Sequence, residues 1–185
     1  MHGPASPGWL LVVLCAATGA YCLLRMRSPV EEQRRTAGGE ALMGFGMAAM
    51  ALPAAVVTPP RWAWLAYAAV FGATAVRTLW ASRWASRTSP HHLHHLMGAV
   101  AMVYMAGVMA ASPGHHHGGS GIPLLTGALL LYFTGYVLRS GVRLLPLATA
   151  APGTPRTLGW GDRTELSQAC RLSMGIAMLA MLVTL

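Results

Sequence analysis

Residues 93–111 read LHHLMGAVAMVYMAGVMAA, nineteen residues with two histidines and no other ionisable side chain except Tyr104. A helix rises about 1.5 Å per residue, so this stretch is long enough for a bilayer core of about 30 Å. A soluble domain rarely carries such a run, and the rest of the chain agrees with a membrane reading. Of 185 residues, 55% are hydrophobic and only 10% charged, and the mean hydropathy is +0.50. The fold class that follows is all-α: a polytopic membrane helix bundle making one integral domain over residues 1–185.

Six segments fit that frame: Trp9–Leu24, Ala41–Val57, Trp62–Leu79, Leu93–Ala111, Ile122–Leu138 and Leu166–Leu185. The sixth reaches full length only if Ser167, Gln168 and Arg171 are included, so Arg171 either snorkels at an interface or turns inward. The N-terminal stretch has no basic residue ahead of its apolar core, and bulky Leu14 precedes Cys15. It is expected to be a retained span, neither a cleaved signal nor a lipid attachment site. Cys15, Cys22 and Cys170 have no metal-type CxxC spacing and predict no disulfide framework.

All 13 basic residues are arginine, and the formal charge is +8. They cluster at the ends of apolar stretches and make no continuous stripe, which argues against nucleic acid as a partner and for lipid. Threading six spans puts every arginine but Arg61 on one side. The positive-inside rule makes that side cytoplasmic, so a plasma-membrane location with both termini outside is expected. Trp9, Trp62 and Trp64 then fall at the outer boundary, and Trp80, Trp84 and Trp160 near the inner one. The segment 139–165 becomes a long cytoplasmic loop.

Ten of the 12 methionines lie in the second, fourth and sixth spans, with Met1 and Met26 outside them. The second span carries Met43-Gly-Phe-Gly-Met47-Ala-Ala-Met50 and the sixth Met174-Gly-Ile-Ala-Met178-Leu-Ala-Met181, the same MGxxMxxM pattern. The fourth has Met97-Gly-Ala-Val-Ala-Met102-Val-Tyr-Met105, one residue longer. A two-helix unit used three times, with parallel repeats, is the predicted arrangement. At about 100° per residue each methionine set falls on one narrow face. Met102, Met105 and Met109 share theirs with His91, His94 and His95. Stacked layers would join Met50 with Met105 and Met181, and Met47 with Met102 and Met178. Glu40, His94 or His95, and Arg171 occupy corresponding positions just before the three motifs; a plain Glu40–Arg171 ion pair accounts for two of them without a ligand.

Thioether sulfur is soft and uncharged, and among biological metals it selects Cu(I). The sulfur column, with Glu40, His94 and His95 at its inner end, therefore predicts a site for Cu(I) or another soft ion, serving passage, storage or delivery to a copper-binding or other membrane protein. His115, His116 and His117, in the glycine-flanked segment SPGHHHGGSG, form a candidate collector. The competing reading is packing: methionine is a flexible gap-filler, and glycine and alanine at helix contacts are ordinary in membranes. On that reading the chain is a scaffold or accessory subunit of a larger membrane complex. Bis-histidine haem is disfavoured because every histidine except His2 lies in or beside the fourth span. No nucleophile–base arrangement or phosphate loop is legible, so no enzymatic activity is expected.

The length, the six-span pattern, the arginine-only basic content, and LMGFGMAAMALP with HHLHHLMGAVAMVYM resemble a family of small actinobacterial multi-pass membrane proteins of unknown function. That resemblance implies a fold and no activity. The MxxxMAAMxLP portion is similar to a motif in bacterial membrane proteins predicted to bind metal. The spacings Met43/Met47, Met105/Met109 and Met174/Met178 also resemble the MxxxM helices of eukaryotic copper transporters. This chain departs from those transporters in having six spans and no Met-rich external domain.

Overall fold

The computed structural model of the chain describes residues 5–28, 31–53, 56–84, 90–111, 121–149 and 164–184. Six helices account for nearly all of them: α1 (Ala5–Arg25), α2 (Glu31–Met50), α3 (Arg61–Trp84), α4 (Pro90–Ala111), α5 (Pro123–Thr149) and α6 (Thr164–Val183). Among the described residues there is no strand. Helices α4 and α5 both open on proline, which has no N–H to lose at a first helical position and a φ already suited to the helix. After α1, amides 26 to 28 bond back to carbonyls 22 to 25 and tighten the exit.

Three helices carry a window long and apolar enough to cross a membrane: Gly8–Arg25, Leu93–Ala111 and Leu166–Val183. The expectation of six is thus met by α1, α4 and α6 on composition, while α2, α3 and α5 fall short. The reasons are visible in their sequences. Helix α2 starts at Glu31, not Ala41, so half of it is the polar EEQRRTAGGE; it stops at Met50, not Val57, because Pro53 follows and cannot continue a helix. Helix α3 carries Arg77 and Arg83. Helix α5 runs on to Thr149 and takes in Arg139 and Arg143. Residues 139–149 of the expected 139–165 loop are therefore helical, although Gly141 and Pro146 both disfavour a helix interior.

The chain divides into two compact units. Unit 1 is Met1–Pro53 with Leu130–Ala180, and unit 2 is Ala54–Leu129 with Met181–Leu185. In unit 1, α1 and α2 run antiparallel: Gly8 lies beside Ala51 and Pro53, Gly19 beside Phe45, and Cys22 beside Glu40. Their closest approach is at Gly44, where a Cβ would sit 2.9 Å from the Gly19 Cα and 3.2 Å from the Cys15 carbonyl oxygen. Only glycine allows two backbones this close, a small-residue contact of the kind membrane helix pairs use. Helix α6 meets α1 through Thr18 Oγ1 and Ser173 Oγ, 3.4 Å apart, and meets α5 where Gly175 faces Tyr136 and Val137. The interior holds Cys15, Cys22, Met43, Met47, Phe133, Met174 and Met178, whereas Leu10, Leu14, Leu42, Leu131 and Ile176 are exposed.

In unit 2, α3 packs on α4. The Tyr67 and Phe71 rings lie 4.7 Å apart, and the Tyr67 hydroxyl approaches Met102 Sδ at 3.8 Å. The start of α5 joins α4 through Tyr104, whose hydroxyl is 2.7 Å from Thr126 Oγ1. Phe71, Met102, Met105 and Leu129 are buried, while Trp62, Leu65, Val76 and Trp80 are exposed. Both units thus keep large apolar side chains on the outside, the inverse of a soluble domain and the pattern a lipid-facing surface requires.

Candidate functional site

The described helices of unit 1 turn one chemically distinct stripe inward. On α1 it is Cys15, Thr18, Cys22 and Arg25; on α2 it is Glu40, Met43 and Met47; on α6 it is Arg171, Met174 and Met178. Each follows the alternating three-and-four spacing of a single helix face. All of these side chains are buried except Arg171, which is half-buried.

One end of the stripe is ionic. Arg25 donates from Nη1 to Glu40 Oε2 at 2.6 Å, and Arg171 donates from Nε to Oε1 at 2.8 Å. The Cys22 thiol lies 3.7 Å from Oε2. The Glu40 side chain is 1% exposed, Arg25 3% and Arg171 20%. A carboxylate stripped of water needs charged donors on both oxygens, and here it has them. The triad still carries one positive charge in excess, and the buried Arg25 Nε has no acceptor among the described residues. The Glu40–Arg171 pair was legible from the sequence. Arg25 was not: it reads as one more arginine at the inner boundary. Its place three residues beyond Cys22, on the Cys15–Thr18 face, was the available signal. The sixth helix accordingly turns Arg171 and Ser167 inward instead of ending at an interface.

The remainder of the unit 1 stripe is sulfur, and unit 2 buries methionines of its own. In unit 1, Met43, Met47, Met174 and Met178 are buried and Met50 is half-buried. In unit 2, Met102, Met105 and Met181 are buried and Met109 is half-buried. The Tyr67 hydroxyl that reaches Met102 treats its thioether as an acceptor. His94 and His95 are half-buried neighbours with ring centroids 6.3 Å apart. His91 belongs to α4, but only its backbone is described; His115, His116 and His117 lie outside the described residues. Among the described residues, no three His, Cys, Asp or Glu side chains come close enough to hold a metal ion. Glu40 has both oxygens committed to guanidinium groups, so the donors left facing the interior are chiefly sulfur.

An all-helical chain with three helices of membrane-crossing length and apolarity, and with apolar side chains on its outer faces, is a membrane-associated helical protein. Residues 32–185 match the family described as domain of unknown function DUF5134, and the chain belongs to it. No match is found among curated proteins or solved structures.

Proposed function

We propose that this protein is a multi-pass plasma-membrane protein that holds Cu(I), or another soft monovalent ion, through inward-facing methionine sulfur. All six helices cross on this reading, with α2, α3 and α5 carried by packing against the more apolar three, and both termini face outside. The observation that supports it is the orientation of the methionines. Seven of those in α2, α4 and α6, namely Met43, Met47, Met102, Met105, Met174, Met178 and Met181, are buried, while branched and aromatic residues of the same helices, Leu42, Phe45, Val100 and Ile176, face outward. Among the described residues of these helices Leu182 is the large aliphatic side chain that is also buried, so methionine outnumbers leucine, isoleucine and valine in the interior by seven to one. Thioethers bind Cu(I) weakly and reversibly, which suits passage, storage or delivery to a copper-binding membrane protein and asks for no catalysis. Glu40 is already paired with two arginines, and the sulfurs are therefore the principal donors, with His94 and His95 as accessory ones.

The competing reading, a scaffold subunit of a larger membrane complex with methionine as filler, is favoured by the tight glycine contact of α1 and α2 and by the Tyr67–Met102 contact. Both are packing features in their own right. Cu(I) binding by the tag-free protein in lipid nanodiscs, measured by competition with a chromophoric chelator, separates the two. Stoichiometric binding that Met47→Leu/Met105→Leu/Met178→Leu abolishes while the fold persists supports the metal site, because leucine conserves volume and removes sulfur. Equal behaviour of the two proteins supports the scaffold.

A further inference from the structure

We infer that Cys15, Met47 and Met178 form a single three-sulfur layer that takes one soft monovalent cation as a thiolate–dithioether complex. The inference rests on the metal-binding reading above and adds to it the ligand that methionine cannot replace.

The contacts of the ionic triad set the register. Cys22 on α1, Glu40 on α2 and Arg171 on α6 meet side chain to side chain, at 3.7 Å and 2.8 Å from the Glu40 carboxylate. Cys15, Met47 and Met178 each lie seven residues away from one of these, all in the same direction across the bundle, because α1 runs antiparallel to α2 while Arg171 and Met178 ascend α6 as Glu40 and Met47 ascend α2. Seven residues are two turns, a rise of about 10 Å with only ~20° of angular drift. Three side chains that meet at one level are therefore followed, two turns on, by three that share a level and a face. Long side chains lean toward the helix N-terminus equally at both levels, so the register carries from tip to tip.

Independent contacts hold the helices together between the two levels. The Gly19–Gly44 approach keeps α1 against α2, with the Cys15 carbonyl beside Gly44, and α6 lies against α1 where Thr18 Oγ1 and Ser173 Oγ come within 3.4 Å, each hydroxyl donating to its own helix, at Leu14 O and Cys170 O. At the second level Cys15 is 1% exposed, Met47 0% and Met178 1%. Among the described residues the Cys15 thiol has no hydrogen-bond partner.

Charge explains why a thiol belongs there. Two thioethers around a monovalent cation would leave a net positive charge in a dry interior, two turns above a triad that already carries one in excess. A thiolate makes the ion and its ligands neutral. On binding, the S–H bond breaks, the sulfur pair forms the bond to the metal, and the proton leaves to solvent, with no change in oxidation state. Two soft neutral donors and one soft anionic donor fit Cu(I) and exclude hard cations.

The test uses the full chain in nanodiscs, with Cu(I) as the probe. The wild type is expected to bind one ion at this layer, with a thiolate-to-copper charge-transfer band in the ultraviolet and a sulfur-only shell of three by X-ray absorption. Cys15→Ala and Met47→Leu/Met178→Leu are each expected to weaken binding by more than the ~10–100-fold that loss of an outer-shell partner costs. Cys170→Ala, at a thiol outside the inward stripe, is expected to keep both band and affinity. If the wild type binds no Cu(I), the metal-binding reading itself fails and this inference with it. If the wild type binds and Met47→Leu/Met178→Leu does not, but Cys15→Ala binds as well as wild type, the thiolate layer is overturned and the methionine reading stands. Should Cys15→Ala fail to fold, the wild-type spectra decide: absence of the thiolate band, or nitrogen or oxygen in the shell, overturns the inference.

Discussion

Neutralising Glu40 tests the ionic end of the bundle most sharply. In Glu40→Gln the side chain keeps its size, but two guanidinium groups that each donated to a carboxylate oxygen, at 2.6 Å and 2.8 Å, lose their counter-charge, and one of them now faces an amide NH2 donor. Arg25 is 3% exposed and cannot reach water without moving its helix, whereas Arg171 at 20% has partial access. Breaking a buried pair typically costs about 3–5 kcal/mol. Two like charges about 6 Å apart at an effective dielectric constant near 20 repel by roughly 3 kcal/mol, so a loss of about 3–5 kcal/mol is expected. Arg25→Met leaves a neutral Glu40–Arg171 pair and should cost only the ~1.5–3 kcal/mol of one charged hydrogen bond. Replacing the whole triad, Arg25→Met/Glu40→Leu/Arg171→Met, should return stability to within ~1 kcal/mol of wild type or above it, since apolar substitution of a buried ion cluster is often neutral or stabilising. Reversible unfolding in mixed detergent micelles measures all three. A Glu40→Gln protein within ~1 kcal/mol of wild type would refute the arrangement, because it would mean that water or lipid headgroups already solvate both arginines.

Three further outcomes follow from contacts elsewhere. Gly44→Ala drives a Cβ into the Gly19 backbone at 2.9 Å and should destabilise the α1–α2 hairpin by about 1–3 kcal/mol, while Gly72→Ala, whose Cβ meets nothing within 4 Å, should be neutral or gain up to ~1 kcal/mol; paired unfolding curves distinguish them. Tyr104→Phe removes the 2.7 Å contact with Thr126 and should cost ~1 kcal/mol, with faster amide exchange confined to the first turns of α5. Gly175→Ala meets only side-chain atoms, Val137 Cγ2 at 3.0 Å and the Tyr136 ring at 3.4 Å, and should cost less than Gly44→Ala in the same assay.

Helix type and the existence of six elements were legible in the linear pattern, because apolar runs of bilayer length have few alternatives to helix. Boundaries were less so. The charged first half of α2 lacks apolar periodicity, so the pattern starts at Ala41 where the helix starts at Glu31, and Arg139 looks like a span terminus whether or not the helix ends there, so the pattern stops at Leu138 where α5 runs on to Thr149. That the methionines of each helix share a face could be anticipated from their spacing, since a three-and-four repeat fixes which residues lie together before any fold exists, whereas the direction of that face could not. The same arithmetic applied to α1 groups Cys15, Thr18, Cys22 and Arg25, yet the apolar background of that span gives no hint which of its faces is buried.

By itself, the sequence determined the helical class, the membrane-like composition, and which residues on each helix form a common stripe, because local geometry settles these within a few turns of chain. Tertiary structure alone decided that Arg25 closes the pair into a triad, that Gly19 meets Gly44, and that the thiols of α1 face the same interior as the thioethers of α2 and α6. Those facts depend on the depth at which one helix slides against another, and that depth is fixed by contacts between residues as far apart in the chain as Glu40 and Arg171.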